Sequence, residues 1–231
     1  MMNLDILSGG AAQGLVASLA AAFKAKTGFD IAGEYGAVGS MADKLRDGAP
    51  ADMIILTSAL VAELAEEKLV VSSSISDVGL VETALAVRSG DPKVSATTVD
   101  DLRKAFLAAD AIFVPDTKAS TAGIHVAKVL DRLGIADEVA ARLKIHPNGA
   151  TAMRELAASR ERRPIGCTQS TEIISTKGVE LSGSLPKACA LATMYTAAVA
   201  AKAGHAAQAK ALIELLSSAE TSEARRRAGF L

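Results

Sequence analysis

Hydrophobic and polar positions along the chain follow two alternating periods. Short apolar runs alternate with Ala-rich stretches whose apolar residues recur every three to four positions. Leu4–Ser8 reads as a strand, Gly9-Gly10 as a tight turn and Ala11–Lys26 as a helix with Leu15, Leu19, Ala22 and Phe23 on its apolar stripe. Thr27-Gly28 ends that helix, with glycine at the position that favours a left-handed residue. Phe29–Tyr35 is a second strand, Gly36–Gly39 a turn, Ser40–Asp47 a short helix, and Asp52–Leu56 a third strand, almost wholly apolar as a buried parallel strand should be. Ser58 is placed to cap a helix over Ala59–Glu67.

Val78–Val87 is a long extended segment that ends at the turn Ser89-Gly90-Asp91-Pro92, and a second alternating series follows. Its helices are expected at Val99–Leu107, Ala122–Leu133 (stopped by Gly134) and Ala150–Ala158. Its strands are expected at Ala111–Val114, Leu143–His146 and Ile165–Thr168. Val179–Leu181 and Ala188–Thr196 look extended, and helices at Ala206–Ser217 and Ser222–Ala228 close the chain. No internal repeat or low-complexity linker interrupts this order.

The pattern predicts an α/β protein of two series, each a mainly parallel sheet flanked by helices. Ligands in such sheets bind where strands end and helices begin. That places five loops in view: Ser8–Ala12, Tyr35–Ser40, Lys118–Gly123, Asn148–Thr151 and Thr168–Thr171.

Composition narrows the classes. The 231 residues carry 25 basic and 26 acidic side chains, so no excess positive field points to nucleic acid. Half the residues are hydrophobic, too many for a disordered chain. No apolar run reaches the roughly 20 residues of a membrane-spanning helix, so membrane insertion is not expected. The opening Met1-Met2-Asn3-Leu4-Asp5 has neither a basic nor an apolar signal region. Two locations remain open on that reading: the cytoplasm, or the periplasm if a signal peptide has been removed. Cys167 and Cys189 do not make a disulfide framework, and nothing in their spacing requires pairing. His125, His146 and His205 lie far apart and no CxxC or HExxH occurs, so no metal is expected. Nor is a cofactor: the Gly-rich phosphate-loop patterns are absent, and Gly9-Gly10 is not one of them.

The loops carry a family resemblance. Gly48-Ala49-Pro50-Ala51-Asp52 before the third strand, and Lys68-Leu69-Val70 after the next helix, resemble the molybdate-binding proteins of ABC transporters, within the type 2 periplasmic binding protein fold. Tyr35-Gly36-Ala37-Val38-Gly39 sits where that family has a Gly-Ser-Ser-Gly turn, and Thr121-Ala122-Gly123-Ile124 sits where it has a Pro-Ala-Gly-Ile step. Leu216-Ser217-Ser218-Ala219 through Arg227-Ala228-Gly229-Phe230 resembles the family's ending. The resemblance implies two lobes, residues 1–80 with 195–231 and residues 81–194, with a ligand cleft between them that closes like a hinged clamp.

The family's ligand set does not carry over whole. Its first oxyanion-binding serine corresponds to Ala11, its second to the Ala37-Val38 pair, and its ligand tyrosine to Gln169. Its two backbone donors correspond to about Ala122 and Ala150, where any residue supplies an N–H. A buried tetrahedral oxyanion needs a full ring of donors. Helix N-termini still offer unsatisfied amides and favour an anion. The expected ligand positions are Gly9, Gly10, Ala11, Ala37, Val38, Gly39, Ser120, Thr121, Ala122, Ala150 and Gln169. Smaller residues leave room for a larger anion, and Gln169 both donates and accepts, which suits a carboxylate or hydroxyl group. The expected partners are therefore a small organic acid, in preference to an oxyanion such as molybdate, and an ABC permease.

An enzyme is the alternative. Relatives within the resemblance include aconitate isomerase, which shifts a double bond by moving a proton α to a carboxylate. His125, Glu172 and Lys118 are the candidate catalytic groups. Each also has a structural reading. Lys118 is a solvated turn lysine, His125 a satisfied surface histidine, and Glu172 a carboxylate answering the dipole of the helix it opens. Ser120 is a helix N-cap as readily as a ligand contact. His146 and Cys167 read as structural, and Arg225-Arg226-Arg227 as a solvated helix end.

Overall fold

The computed structural model describes residues 2–231. In chain order the elements are β1 (Asn3–Gly9), α1 (Gln13–Thr27), β2 (Asp30–Gly36), α2 (Val38–Arg46), β3 (Met53–Thr57), α3 (Ser58–Glu66) and β4 (Ser76–Arg88). Then come α4 (Val99–Ala108), β5 (Ala111–Pro115), α5 (Thr121–Arg132), α6 (Ala136–Val139), β6 (Leu143–His146), α7 (Gly149–Ala158), β7 (Pro164–Gln169), α8 (Ser170–Ser175) and β8 (Val179–Ser184). The last elements are β9 (Ala192–Val199), α9 (Ala206–Ser217) and α10 (Ser222–Arg227). The chain forms two compact units. One runs to Val81 and resumes over Thr193–Leu231; the other is Glu82–Ala192.

In the first unit the strands lie in the order β2-β1-β3-β9. β1 is parallel to both β2 and β3, and β9 runs antiparallel to β3 with Met53 opposite Val199 and Thr57 opposite Tyr195. All five residues of β3 are buried, the apolar run Met53–Leu56 and the Thr57 that ends it. Leu4, Ile6, Leu15, Phe23, Leu212 and Leu216 pack into the same core.

The aspartate of the Gly-Ala-Pro-Ala-Asp step has a structural task in this unit. Asp52 is 3% exposed. Its Oδ2 accepts from the Asp5 amide at 3.0 Å, and its Oδ1 from the His205 amide at 2.8 Å. The His205 ring lies 3.2 Å from Oδ2 and edge-on to Phe29, with ring centroids 5.0 Å apart. One carboxylate thus ties the start of β3 to β1 and to the residue before α9.

In the second unit β4 pairs antiparallel with β7 and β8, and β5 lies parallel to β7 and β6. Both faces are covered. Leu85, Ile112, Val114, Ile165 and Cys167 face one apolar cluster with Phe106. Ala84, Ala86, Ala111 and Phe113 face another with Met153, Leu156 and Ile173. Alternate residues of one strand enter opposite clusters, as the period of two dictates.

Local chemistry moves several element boundaries from those expected. Gly10–Ala12 forms a single 3-10 turn, so α1 begins at Gln13 and not at Ala11. Helix α2 begins at Val38, inside the expected turn. Ser58 is the first residue of α3 and not its cap; Thr57 holds the cap position without a side-chain bond. β8 extends to Ser184, and β9 begins at Ala192 after a short 3-10 turn at Lys187–Cys189. At α4 a capping box forms, with the Asp101 amide donating to Thr98 Oγ1 at 3.1 Å and the Thr98 amide donating to Asp101 Oδ2 at 3.2 Å.

Candidate functional site

The first unit places its expected residues at two strand ends. Gly9 closes β1, and a Cβ there would lie 2.7 Å from Val38 Cγ1 and 3.0 Å from Tyr195 Cε1. Glycine at this position lets the two loops approach each other. Gly10, Ala11, Ala37 and Val38 are buried, and Gly39 is half-buried. Ala37 holds the N-cap position of α2 without a side-chain bond, and the first helical bond is Met41 N to Ala37 O at 3.0 Å. The amides of Val38, Gly39 and Ser40 therefore precede the bonded turns, with the partial positive charge of a helix N-terminus.

In the second unit α5 starts the same way. Ser120 occupies its N-cap position, as the capping reading expects, but its hydroxyl makes no capping bond. Ile124 N bonds Ser120 O at 2.9 Å, which leaves Thr121, Ala122 and Gly123 as the leading amides. Ala122 is 1% exposed. Gly123 has no room for a side chain, because a Cβ would collide with the Pro115 and Asp116 carbonyls. The turn before it is set by Asp116, whose Oδ1 accepts from the amides of Lys118 at 2.7 Å and Ala119 at 2.9 Å. Lys118 itself is exposed at the tip of this turn.

Helix α7 is different, because its leading amides are used internally. Asn148 caps it by accepting from Thr151 N at 2.8 Å. The amides of Gly149 and Ala150 donate to the side chain of Glu172, as does the amide of Gln169. Thr168 Oγ1 donates to Glu172 Oε2 at 2.6 Å. Glu172 is 5% exposed, and a Cβ on Gly149 would overlap its carboxyl group and the Thr168 hydroxyl. Burial pushes the Glu172 carboxyl above the usual carboxylate range; the four donors pull the other way without offsetting it. Glu172 therefore does more than answer the helix it opens. It bridges the N-cap amide of α8 to the N-terminus of α7, about 20 residues earlier in the chain. The Ala150 amide, expected to face a ligand, faces this carboxyl.

Gln169 ends β7, directly opposite Thr83 of β4, and is 3% exposed. Its Nε2 and Oε1 atoms are both buried without a hydrogen-bond partner. So are the hydroxyls of Thr83 and Thr171, which are 1% and 2% exposed. Native interiors rarely leave such groups unpaired. The sequence pattern singled out Gln169 and placed Thr168, Thr171 and Asn148 in two of the five candidate loops, without a role for Asn148 or Thr171; Thr83 it missed. Asn148 carried a signal, an N-capping residue directly before a helix. Thr83 carried none, since only strand register places it opposite Gln169.

The remaining residues singled out are two histidines and two cysteines. His125 Nε2 lies 2.8 Å from the Cys189 carbonyl. That nitrogen must carry a proton to donate it, so it is not a free base. His146 stacks on Phe113 with centroids 5.8 Å apart and planes 10° apart, and burial holds its pKa below the usual value. Cys167 and Cys189 are free, buried thiols, and burial pushes Cys167 up to about 12. Among the described residues no three His, Cys, Asp or Glu side chains gather as a metal-ion ligand set. No helix among them is long and apolar enough to cross a membrane.

Comparison with known proteins extends over nearly the whole chain. An aconitate isomerase of Pseudomonas sp is 25% identical over 233 aligned positions, covering 96% of this chain and 85% of that protein. The molybdate-binding protein ModA of Escherichia coli (strain K12) is 26% identical over 220 positions, covering 92% and 82%. The periplasmic molybdate-binding protein of Azotobacter vinelandii superposes with a TM-score of 0.83 at 16% identity, covering 99% of this chain and 98% of that one. The fold is thus that of the periplasmic binding proteins. The family model described as bacterial extracellular solute-binding protein matches residues 4–231, and the chain belongs to that family.

Proposed function

We propose that this protein binds a small organic acid that carries at least one hydrogen-bond donor, such as a hydroxy acid, and hands it to an ABC-type permease. The observation that carries this reading is the unpartnered amide of Gln169, directly opposite Thr83 with its own unpartnered hydroxyl and two residues before Thr171 with another. An unsatisfied buried polar group costs about 1–3 kcal/mol, so a bound solute that satisfies it gains that amount. The chemistry of the amide selects the solute. Nε2 donates, but Oε1 only accepts. A fully ionised tetrahedral oxyanion offers only acceptors and leaves Oε1 unpaired. A hydroxyl group answers Oε1, and a carboxylate answers Nε2 and the threonine hydroxyls. The uncapped amides that begin α5, in the same unit, favour the negative charge of such a solute.

A thermal-shift series tests this. Hydroxy di- and tricarboxylates should raise Tm with concentration, by the stabilisation expected when a ligand binds only the folded state. Molybdate, tungstate and sulfate should raise it far less. A shift with molybdate alone would overturn the reading.

An isomerase is the second reading, supported by the relative named aconitate isomerase. It needs a base. Against it, Nε2 of His125 is committed to Cys189, Lys118 is exposed on a turn, and the Glu172 carboxyl already meets four donors. Incubation with cis- or trans-aconitate, followed by proton NMR, separates the two readings. Interconversion at enzyme-catalysed rates would favour the isomerase, and binding without turnover the solute-binding protein.

A further inference from the structure

The N-terminus of α7 is an anion seat already filled by the protein itself. Thr151 N is held by Asn148, and Gly149 N, Ala150 N and Thr168 Oγ1 are held by Glu172. Ala152 N bonds Asn148 O at 3.0 Å and begins the ordinary helical ladder. Every leading amide of this helix therefore has an acceptor inside the chain. Glycine at position 149 makes this possible, since any Cβ there would overlap the Glu172 carboxyl group. The next turn of chain, at Gln169, holds the buried amide with no partner.

We infer that Glu172 is a specificity-determining residue: its side chain closes the α7 amide seat to free oxyanions, so that a solute beside it meets the neutral groups of Gln169, Thr83 and Thr171 and not the α7 amides. This rests on the reading of the Gln169 cluster as solute-binding. The carboxyl oxygens occupy the volume an oxyanion would need. When ionised, they also repel a second anion across a poorly solvated gap.

The test compares the full-length protein with Glu172→Ala and Glu172→Gln, titrated with molybdate and with sulfate and read by Tm and calorimetry. Glu172→Ala uncovers the Gly149 and Ala150 amides and the Thr168 hydroxyl, and should bind molybdate at least about tenfold more tightly than the wild type. Glu172→Gln keeps an acceptor over the amides and should remain closed. If Glu172→Ala fails to fold, Glu172→Asp, which withdraws the carboxyl by one methylene, should gain affinity several-fold. A folded Ala or Asp variant with no gain overturns the inference, as does a wild type that already binds molybdate as tightly as the variant. Gln169→Ala is measured alongside with an organic acid. If it leaves organic-acid affinity unchanged, the functional reading fails, while the oxyanion comparison at Glu172 still stands or falls on its own result.

Discussion

Thr168 and Glu172 are joined by a 2.6 Å hydrogen bond between two side chains that are almost completely buried. Thr168 sits in β7 and Glu172 in α8, so the bond fixes the turn that presents Gln169. Replacing Thr168 with Val keeps the shape and removes the donor. The variant should lose about 1–3 kcal/mol in urea unfolding, because the carboxyl is left with one donor fewer. Thr168→Ser should lose much less, since the hydroxyl remains.

The same carboxyl gives the stability a pH signature. Burial, the largest influence, lifts the folded pKa of Glu172 above its unfolded value. The fold therefore favours the neutral acid. That stabilisation is complete below the unfolded pKa of about 4.3 and is lost as pH rises through the folded pKa. Glu172→Gln removes the titration. Its stability relative to wild type should rise over that window, measured as unfolding free energy against pH.

Asp52 has the opposite sign. Burial is its largest single influence and raises its pKa, but the Asp5 amide and the His205 amide and ring together hold it below the usual range. Its contribution is present above an unfolded pKa of about 3.9 and is lost as pH falls through the folded value. Asp52→Asn should cost about 2–4 kcal/mol at neutral pH, and its deficit should shrink in acid. A constant deficit down to the acid limit would show that the charge is not what is held.

His125 makes a structural contact. His125→Phe breaks the bond to the Cys189 carbonyl and should cost about 1 kcal/mol of stability. Solute affinity should stay within about twofold of wild type, because the free energy of a local hydrogen bond does not reach the solute. A large fall in turnover with near-normal binding would restore the catalytic reading of this residue.

The alternation of strands and helices was legible because each element carries its own period, as in the apolar run Met53–Leu56 of β3 and the Leu15–Leu19–Phe23 stripe of α1. The Gly48–Asp52 step was recognisable, though not its task, since Asp52 acts on Asp5 and His205, the latter 153 positions away. Helix starts were less legible. The 3-10 turn at Gly10–Ala12 and the uncapped start at Val38 depend on backbone bonds that residue preference does not fix. Gln169 stood out because it replaces an expected tyrosine. The true partners of Glu172 and the burial of Thr83 did not, because both depend on register and helix placement across the sheet.

Gln169→Leu separates a solute contact from a structural role, measured as Tm with and without a saturating hydroxy acid. Leu removes the two buried unpartnered atoms at similar size, so the solute-free variant should be more stable than wild type by about 1 kcal/mol. With solute the order should reverse, because the variant loses at least about tenfold in affinity and with it the stabilisation that binding supplies. A variant that is less stable when free and responds to solute as well as wild type does would contradict the account. It would show that Gln169 supports the fold and does not meet the solute.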